Sequence, residues 1–153
     1  MKLTLRKLVK HGPPPGLLAF DGDLAVGWCQ LVPRNELPWL DHTRTLRRVD
    51  DVPVWSLSCF FVRRGYRQQG VMTALIAAAI RTARSAGAPA PEAYPVDTDA
   101  PKSTTNIDTG TASAFARAGF KTVASRAPSR PIMRFIFRKS KAASQPGSSD
   151  KSS

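Results

Sequence analysis

The stretch SCFFVRRGYRQQGVMTALI, residues 58–76, decides the fold of this chain. It begins inside an apolar and aromatic run, residues 54–62, which predicts a central strand buried on both faces. A basic loop with two glycines follows, and the apolar spacing of residues 71–87 then predicts a helix. The first N–H groups of a helix have no partner within it, and the helix dipole adds partial positive charge. Strand, basic loop and helix N-terminus therefore predict an anion site.

The residues of the loop fit a phosphate ligand. Gly70 can adopt a positive φ and lets the backbone approach a phosphate closely. Arg63, Arg64 and Arg67 add formal positive charge. We expect Arg67 and Gln68 to contact a diphosphate from the side.

Two common phosphate motifs are excluded by their residues. A Walker A loop requires Lys and Ser or Thr directly after its second glycine. Gly65 and Gly70 have the required spacing, but Val71 and Met72 occupy those two positions. The GxGxxG fingerprint of dinucleotide-binding proteins does not occur.

Outward from this stretch, hydrophobic periodicity and turn residues predict further strands and helices. The predicted elements are a hairpin of 17–20 and 24–32, an irregular segment 33–53, strands at 91–96, 120–127 and 132–138, and a second helix at 111–119. At the N-terminus, Leu5, Leu8 and Val9 have helical spacing before a Pro-Pro-Pro stop. We therefore expect a short amphipathic helix over residues 1–11.

Composition indicates one globular domain without disulfides. The chain has 153 residues, of which 42% are hydrophobic, enough for a sizeable core. Cys29 and Cys59 lie in apolar runs without metal-ligand spacing, which predicts reduced core thiols, a cytoplasmic location and no metal site. No apolar stretch is long enough for a membrane span, and no signal peptide is expected.

The charge is strongly basic, with 23 Lys and Arg against 11 acidic residues and a net charge of +12. Such a charge favours polyanions, which include nucleic acid, an anionic membrane surface and a phosphorylated cofactor, although a basic solvated surface has the same composition. No zinc finger, helix-turn-helix or aromatic-interleaved basic sheet is evident. A nucleic-acid partner is therefore disfavoured.

Residues 62–76 resemble the pyrophosphate loop of the GNAT superfamily of N-acetyltransferases. The family motif is Gln or Arg, two residues, Gly, one residue, and Gly or Ala, and it reads here Arg67-Gln68-Gln69-Gly70-Val71-Met72. Met72 departs from that pattern, and its larger side chain would crowd a diphosphate. Two further runs are similar to the family: VRRGYR, residues 62–67, and SAFARAGF, residues 113–120. The resemblance covers about residues 17–137 and looks like an uncharacterised actinobacterial-type subgroup.

The resemblance implies an α/β (α+β) GNAT fold, a mixed and mostly antiparallel twisted sheet with a central splayed strand pair. It implies that the domain spans residues 13–138, between an N-terminal helix at 1–12 and a disordered polar tail at 139–153. GNAT domains begin with a strand and one or two helices, so the chain looks shortened at its N-terminus. A partner chain could complete the fold, and a homodimer is open.

The resemblance further implies acetyl-CoA as cofactor and acetyl transfer to a primary amine by direct attack in a ternary complex. The implied cofactor-binding residues are Cys59, Phe60, Phe61 and Val62 for the pantetheine arm, and Arg67, Gln68, Gln69, Gly70, Val71 and Met72 for the diphosphate. An N–H near Phe60 or Phe61 would bind the thioester carbonyl. The identity of the amine is open.

For the acid and the base of the reaction, the sequence offers several candidate residues. The family's frequent acid, a Tyr, is replaced here by Phe115. Glu92 on a strand expected to face the cofactor cleft, Tyr94 and Asp97 are the candidate catalytic residues, although each is also a common structural residue. His42 is a further candidate base, and the carboxylates of segment 33–53 could steer a cationic amine.

Two alternatives to the enzyme remain open. Phe115, Met72 and the short N-terminus favour a CoA-binding module that has lost catalysis. The net charge and the arginine clusters at residues 44–48 and 63–67 favour a nucleic-acid-binding protein.

Overall fold

One mixed sheet organises the chain, for which a computed structural model describes residues 3–8, 16–67, 69–96, 107–108, 111–127 and 129–137. Its strands are β1 Leu3–Leu8, β2 Gly16–Asp21, β3 Leu24–Pro33, β4 Trp55–Val62, β5 Pro91–Ala93, β6 Ile107–Asp108, β7 Lys121–Ala124 and β8 Ile132–Arg134. The helices are α1 Val71–Ser85 and α2 Ala112–Arg117, and three short 3-10 helices span Arg34–Glu36, Pro38–His42 and Arg44–Leu46.

The strand order is β1-β2-β3-β4-β5-β8-β7, and β6 pairs with β4. Strands β4 and β5 are parallel, while the other paired strands of this sheet are antiparallel. This topology confirms the predicted fold class. It also places β4 at the centre, as its apolar residues on both faces predicted.

The predicted N-terminal helix is wrong. Residues 3–8 form β1, antiparallel to β2 from the pair Leu3 and Asp21 to the pair Leu8 and Gly16. Leu3 and Leu5 pack against the core, whereas Thr4 and Arg6 are exposed, so the alternation of a strand fits this segment as well as helical spacing does. Pairing with the edge of β2 decides between them. A strand therefore precedes the hairpin, whereas the shortening of the N-terminus stays a prediction.

The predicted hairpin of β2 and β3 is confirmed, with Gly22 in its turn at φ 62°. The register shifts between Ala19 and Phe20, so β3 carries a bulge opposite them. Gly27 on β3 is a point of close approach, because a Cβ built there would lie 2.6 Å from Cγ1 of Val71. Helix α1 can therefore pack closely against β3 only if residue 27 has no side chain.

Helix α1 packs on one face of the sheet, as predicted. Val71, Leu75, Ala79 and Ala83 form its buried stripe. The chain enters the helix through Gly70 in the left-handed conformation and leaves it through Gly87 at φ 83°. Helix α2 packs on the same core, whose buried aromatic centre is Phe60, Phe115 and Phe120.

The segment between β3 and β4 covers the other face of the sheet. It contains the three 3-10 helices and so has more regular structure than the irregular segment predicted from its prolines. Its Leu40 and Leu46 form a second buried cluster with Tyr94 and Ile132. The sheet thus has a helical layer on one face and this segment, called here the 3-10 segment (residues 34–53), on the other.

Replacing Gly27 by Ala should lower the free energy of unfolding by about 1–3 kcal/mol, because the new methyl group overlaps Val71. Chemical denaturation of Gly27→Ala, Val71→Ala and the double variant measures this effect. The double variant should lose less stability than the sum of the two single variants. Additive losses would show that Gly27 and Val71 are not in contact.

Candidate functional site

A bulge interrupts β4 at its centre. Leu31 of β3 lies opposite Leu57, but Cys29 lies opposite Phe60, so two steps along β3 match three along β4. The extra residue falls at Ser58 and Cys59. No glycine or proline marks this position, so the sequence carries no local signal of the bulge.

The bulge reverses the direction in which β4 presents its N–H groups. Before it, the N–H of Trp55 donates to Ala90, on the β5 side, over 3.1 Å. After it, the N–H of Arg63 donates to Val26, on the β3 side, over 2.8 Å. Because N–H groups alternate along a strand, those of Phe60 and Val62 point away from β3. These N–H groups face the edge that was predicted to bind the pantetheine arm.

Strands β4 and β5 pair over three residues and then part. The last pair is Leu57 with Ala93. Further along the same edge, Phe60 pairs with Asp108 and Phe61 with Ile107. The short strand β6 of this chain therefore lies on part of the edge predicted for the cofactor.

The loop from Arg63 to Gly70 is held by its own side chains and by the β2–β3 hairpin. The Tyr66 hydroxyl donates to Asp21 over 2.7 Å, and Nε2 of Gln69 donates to the carbonyl of Gly65 over 2.9 Å. Gly65 and Gly70 both have φ near +90°, at 92° and 85°. The loop conformation therefore depends on two glycines, as expected for a backbone that approaches an anion.

The N-terminus of α1 is open to a ligand. Among the described residues no side chain caps it, and its first turn contains no acidic residue. Met72 is half-buried and packs against the core, so it does not extend over the helix N-terminus, where it was predicted to crowd a diphosphate. Arg63, Arg64 and Arg67 are exposed, and Gln68 lies outside the described residues.

Glu92 lies inside a closed ion cluster, although it was expected to face an open cleft. Its side chain is 1% exposed. Arg34 Nη1 approaches one carboxylate oxygen to 3.2 Å, and Arg134 Nε donates to the other over 2.7 Å. The 3-10 segment, which carries Arg34, covers this face of β5. The carboxylate therefore has two cationic partners and no access to solvent.

Tyr94 belongs to the same cluster. Its hydroxyl donates to Glu92 over 2.8 Å and accepts from Arg34 over 2.9 Å. The proton of the Tyr94 hydroxyl goes to Glu92. In the 2.6 Å contact between the hydroxyls of Tyr94 and Ser56, Ser56 is therefore the donor. Burial, and next the charge of Glu92, raise the pKa of Tyr94 well above its ordinary value. The phenol is therefore neutral and a weaker acid than a free tyrosine.

Two acidic residues of the 3-10 segment, Asp41 and Asp50, extend this ion cluster toward the protein surface. Both Nη atoms of Arg134 donate to Asp50, over 3.0 and 2.9 Å, and Arg34 Nη2 donates to Asp41 over 2.8 Å. These hydrogen bonds hold the pKa of Asp50 and that of Asp41 below their usual range. The two carboxylates bind arginines of this chain, whereas the sequence suggested that they steer an amine.

The remaining candidates lie in different places. Phe115 is fully buried, and Cys59 is half-buried beside the bulge. Burial raises the pKa of Cys29 to about 12, in agreement with a reduced core thiol. His42 is exposed in the 3-10 segment, and Asp97 lies outside the described residues.

A separate cavity of about 390 Å³ lies at the other end of β4 from the loop. Its lining includes Pro38, Asp51, Val52 and Trp55. Within the described part of the chain, no helix is long and apolar enough to cross a membrane, and no group of three His, Cys, Asp or Glu could hold a metal ion.

Comparison with known proteins places this fold and loop in one family. Residues 2–101 match the acetyltransferase (GNAT) family, and among curated proteins no sequence relative was found. The chain belongs to this family of acetyltransferases.

Solved structures with the same fold are also acetyltransferases. An acetyltransferase matches with a TM-score of 0.58 and 18% identity, over 80% of this chain and 70% of its own. A GCN5-related N-acetyltransferase from Kribbella flavida matches with a TM-score of 0.55 and 19% identity, over 84% and 71%. The ribosomal-protein-S18-alanine N-acetyltransferase from Escherichia coli matches with a TM-score of 0.54 and 12% identity, over 90% and 96%. At these identities the likeness concerns the fold.

Replacing Glu92 by Gln should lower the free energy of unfolding by up to about 3–5 kcal/mol, because Arg34 and Arg134 would lose the buried carboxylate between them and would each keep only an exposed partner, Asp41 or Asp50. Denaturant unfolding measures the loss. Glu36→Gln, which changes the exposed glutamate of the 3-10 segment, is the matched control and should have little effect. Unchanged stability of Glu92→Gln, together with lost acetyl transfer, would instead show that Glu92 acts as a base.

The ion pair of Asp50 should make stability depend on acid pH. Its folded-state pKa lies below the unfolded value of about 3.9, so its contribution is present above that pH and is lost as the pH falls through the folded value. Asp50→Asn should therefore show a smaller drop in unfolding free energy between pH 5 and about pH 2. Asp51→Asn, its exposed neighbour, should retain the wild-type profile, and equal profiles for all three proteins would contradict the assignment.

Proposed function

We propose that this chain is an acetyl-CoA-dependent N-acetyltransferase that transfers the acetyl group to a primary amine by direct attack in a ternary complex. One observation carries the proposal. The central strand leads through a loop with two left-handed glycines to the uncapped N-terminus of α1, and three exposed arginines flank that loop. In a chain of the GNAT family, this unit has the chemistry required to bind a diphosphate.

The cofactor diphosphate would bind at residues 67–72. The free N–H groups of the first turn of α1 would donate to its oxygens, and the helix dipole would add to the attraction. Arg67 would neutralise part of its charge from the side. The contact of Met72 with the core supports this placement, because it leaves the backbone N–H of the turn accessible.

The pantetheine arm would extend along β4 beyond Leu57, where β5 has left the strand. Phe60 and Val62 present their N–H groups at this edge, so the arm would bind there in the manner of an added strand. The thioester carbonyl would lie near the bulge and accept a hydrogen bond from the N–H of Phe60, because the N–H of Phe61 is directed toward β3. The bulge supports this arrangement because it turns the N–H groups toward the edge that β5 has left.

Bound acetyl-CoA supplies an activated acetyl thioester. The protein would hold the amine nitrogen close to the carbonyl carbon and stabilise the charge that develops on the carbonyl oxygen. The C–N bond would form as the C–S bond breaks, so that CoA leaves as its thiolate, and the proton that the amine nitrogen loses would pass to that sulfur. The roles of Glu92 and Asp97 as base and of Tyr94 as acid stay predictions, and the cluster of Glu92 and Tyr94 favours a positioning role for both.

A second candidate function is a CoA-binding module without transfer. Phe115 is buried, and the hydroxyl of Tyr94 and the carboxylate of Glu92 are occupied by partners of this chain. This arrangement leaves few acid–base groups at the site. Cofactor binding without acetylation of any amine in a broad screen would favour it.

Acetyl-CoA should raise the melting temperature. At 100 times its Kd the cofactor adds about 2.7 kcal/mol to stability, which corresponds to roughly 5–10 °C for a chain of this size. The double variant Arg67→Ala, Gly70→Glu should lose this shift, because it removes one charge and places another on the anion site. Arg81→Ala, an exposed arginine of α1, is the control and should keep the shift. A full shift in the double variant, or none in the wild type at millimolar cofactor, would contradict the proposal.

A further inference from the structure

Two different segments can pair with the edge of β4 beyond Leu57: strand β6 and the proposed cofactor arm. The chain itself places β6 there, with Asp108 opposite Phe60 and Ile107 opposite Phe61. The proposed cofactor arm needs the same edge. Strand β5 does not compete for it, because its pairing with β4 ends at Leu57 and Ala93.

The hydrogen-bonding pattern makes the overlap specific. Since the N–H of Arg63 points to β3, that of Phe61 does so too, and the N–H and C=O of Phe60 point to the opposite edge. Phe60 and Asp108 therefore form the hydrogen-bonded pair, in which each residue donates to the other. An arm bound along β4 would use the same two groups of Phe60.

We propose that β6 occupies part of the cofactor groove in the free protein and is displaced when acetyl-CoA binds. This inference rests on the proposed function. One edge of a strand accepts a single partner, so the two pairings exclude each other. Binding of the cofactor is then weakened by the fraction of molecules in which β6 is paired.

The energetics permit such an exchange. Strand β6 has two residues, and its described pairing is to β4 alone, whereas β4 pairs with β3 on both sides of the bulge, from Trp55 to Leu57 and from Phe60 to Val62. A pairing this short contributes few hydrogen bonds, each of modest net strength. A cofactor that also binds the loop at residues 67–72 has more contacts and displaces it.

The variant Asp108→Pro tests the proposal, because proline lacks the N–H that bonds to Phe60. Its apparent Kd for acetyl-CoA, measured by calorimetry, should be roughly three- to tenfold lower than that of Asp108→Ala. Asp108→Ala is the matched control, because it also removes the carboxylate but keeps the N–H. Equal affinities for the two variants would overturn the proposal.

Amide exchange of the wild type, followed by NMR, gives an independent readout. The N–H of Asp108 should exchange slowly in the free protein and become fast at saturating acetyl-CoA. Fast exchange in the free protein, or slow exchange that persists in the complex, would overturn the displacement while leaving cofactor binding intact. Failure of every variant to bind acetyl-CoA would overturn the proposed function and this inference with it.

Discussion

Glu92 is buried between two arginines that lie 58 residues before it and 42 residues after it. A carboxylate without solvent is stable only if its charge is compensated at short range. That requirement joins three parts of the chain: the 3-10 segment through Arg34, β5 through Glu92 and β8 through Arg134. The ion cluster thus fixes which elements surround the point where β4 and β5 part.

The proposed site depends on this arrangement. Strand β5 is held against β4 for three residues and no further, so the edge of β4 beyond the bulge is available to another partner. The bulge turns the N–H groups of Phe60 and Val62 toward that edge. The loop at 63–70 then leads directly from the open edge to the N-terminus of α1. The central strand, the loop and the N-terminus of α1 are therefore consecutive in the chain and adjacent in space.

Local signals explain what the sequence predicted correctly. The hairpin follows from Asp21-Gly22-Asp23 between two apolar runs, and α1 follows from an apolar stripe that ends at Gly87. The loop was recognised because its glycines and arginines lie within ten residues of one another. Each of these features depends on neighbours in the chain, which a sequence displays.

The errors concern partners that are distant in sequence. Residues 3–8 carry a pattern that fits a helix or a strand, and the free edge of β2 selects the strand. Glu92 was expected to face an open cleft, and it is buried instead because Arg34 and Arg134 lie against its carboxylate. Arg134 ends the otherwise apolar strand Ile132–Arg134. This arginine was a local sign that the face of the sheet around Glu92 contains buried charges.

By itself the sequence determined the central strand, the glycine loop, helix α1 and the family resemblance, because turn chemistry and hydrophobic period act over a few residues. Only the tertiary structure decided the bulge in β4, the burial of Glu92 and the pairing of β6 with Phe60 and Phe61. Those three features are set by competition among distant segments for the same hydrogen bonds, charges and buried surface.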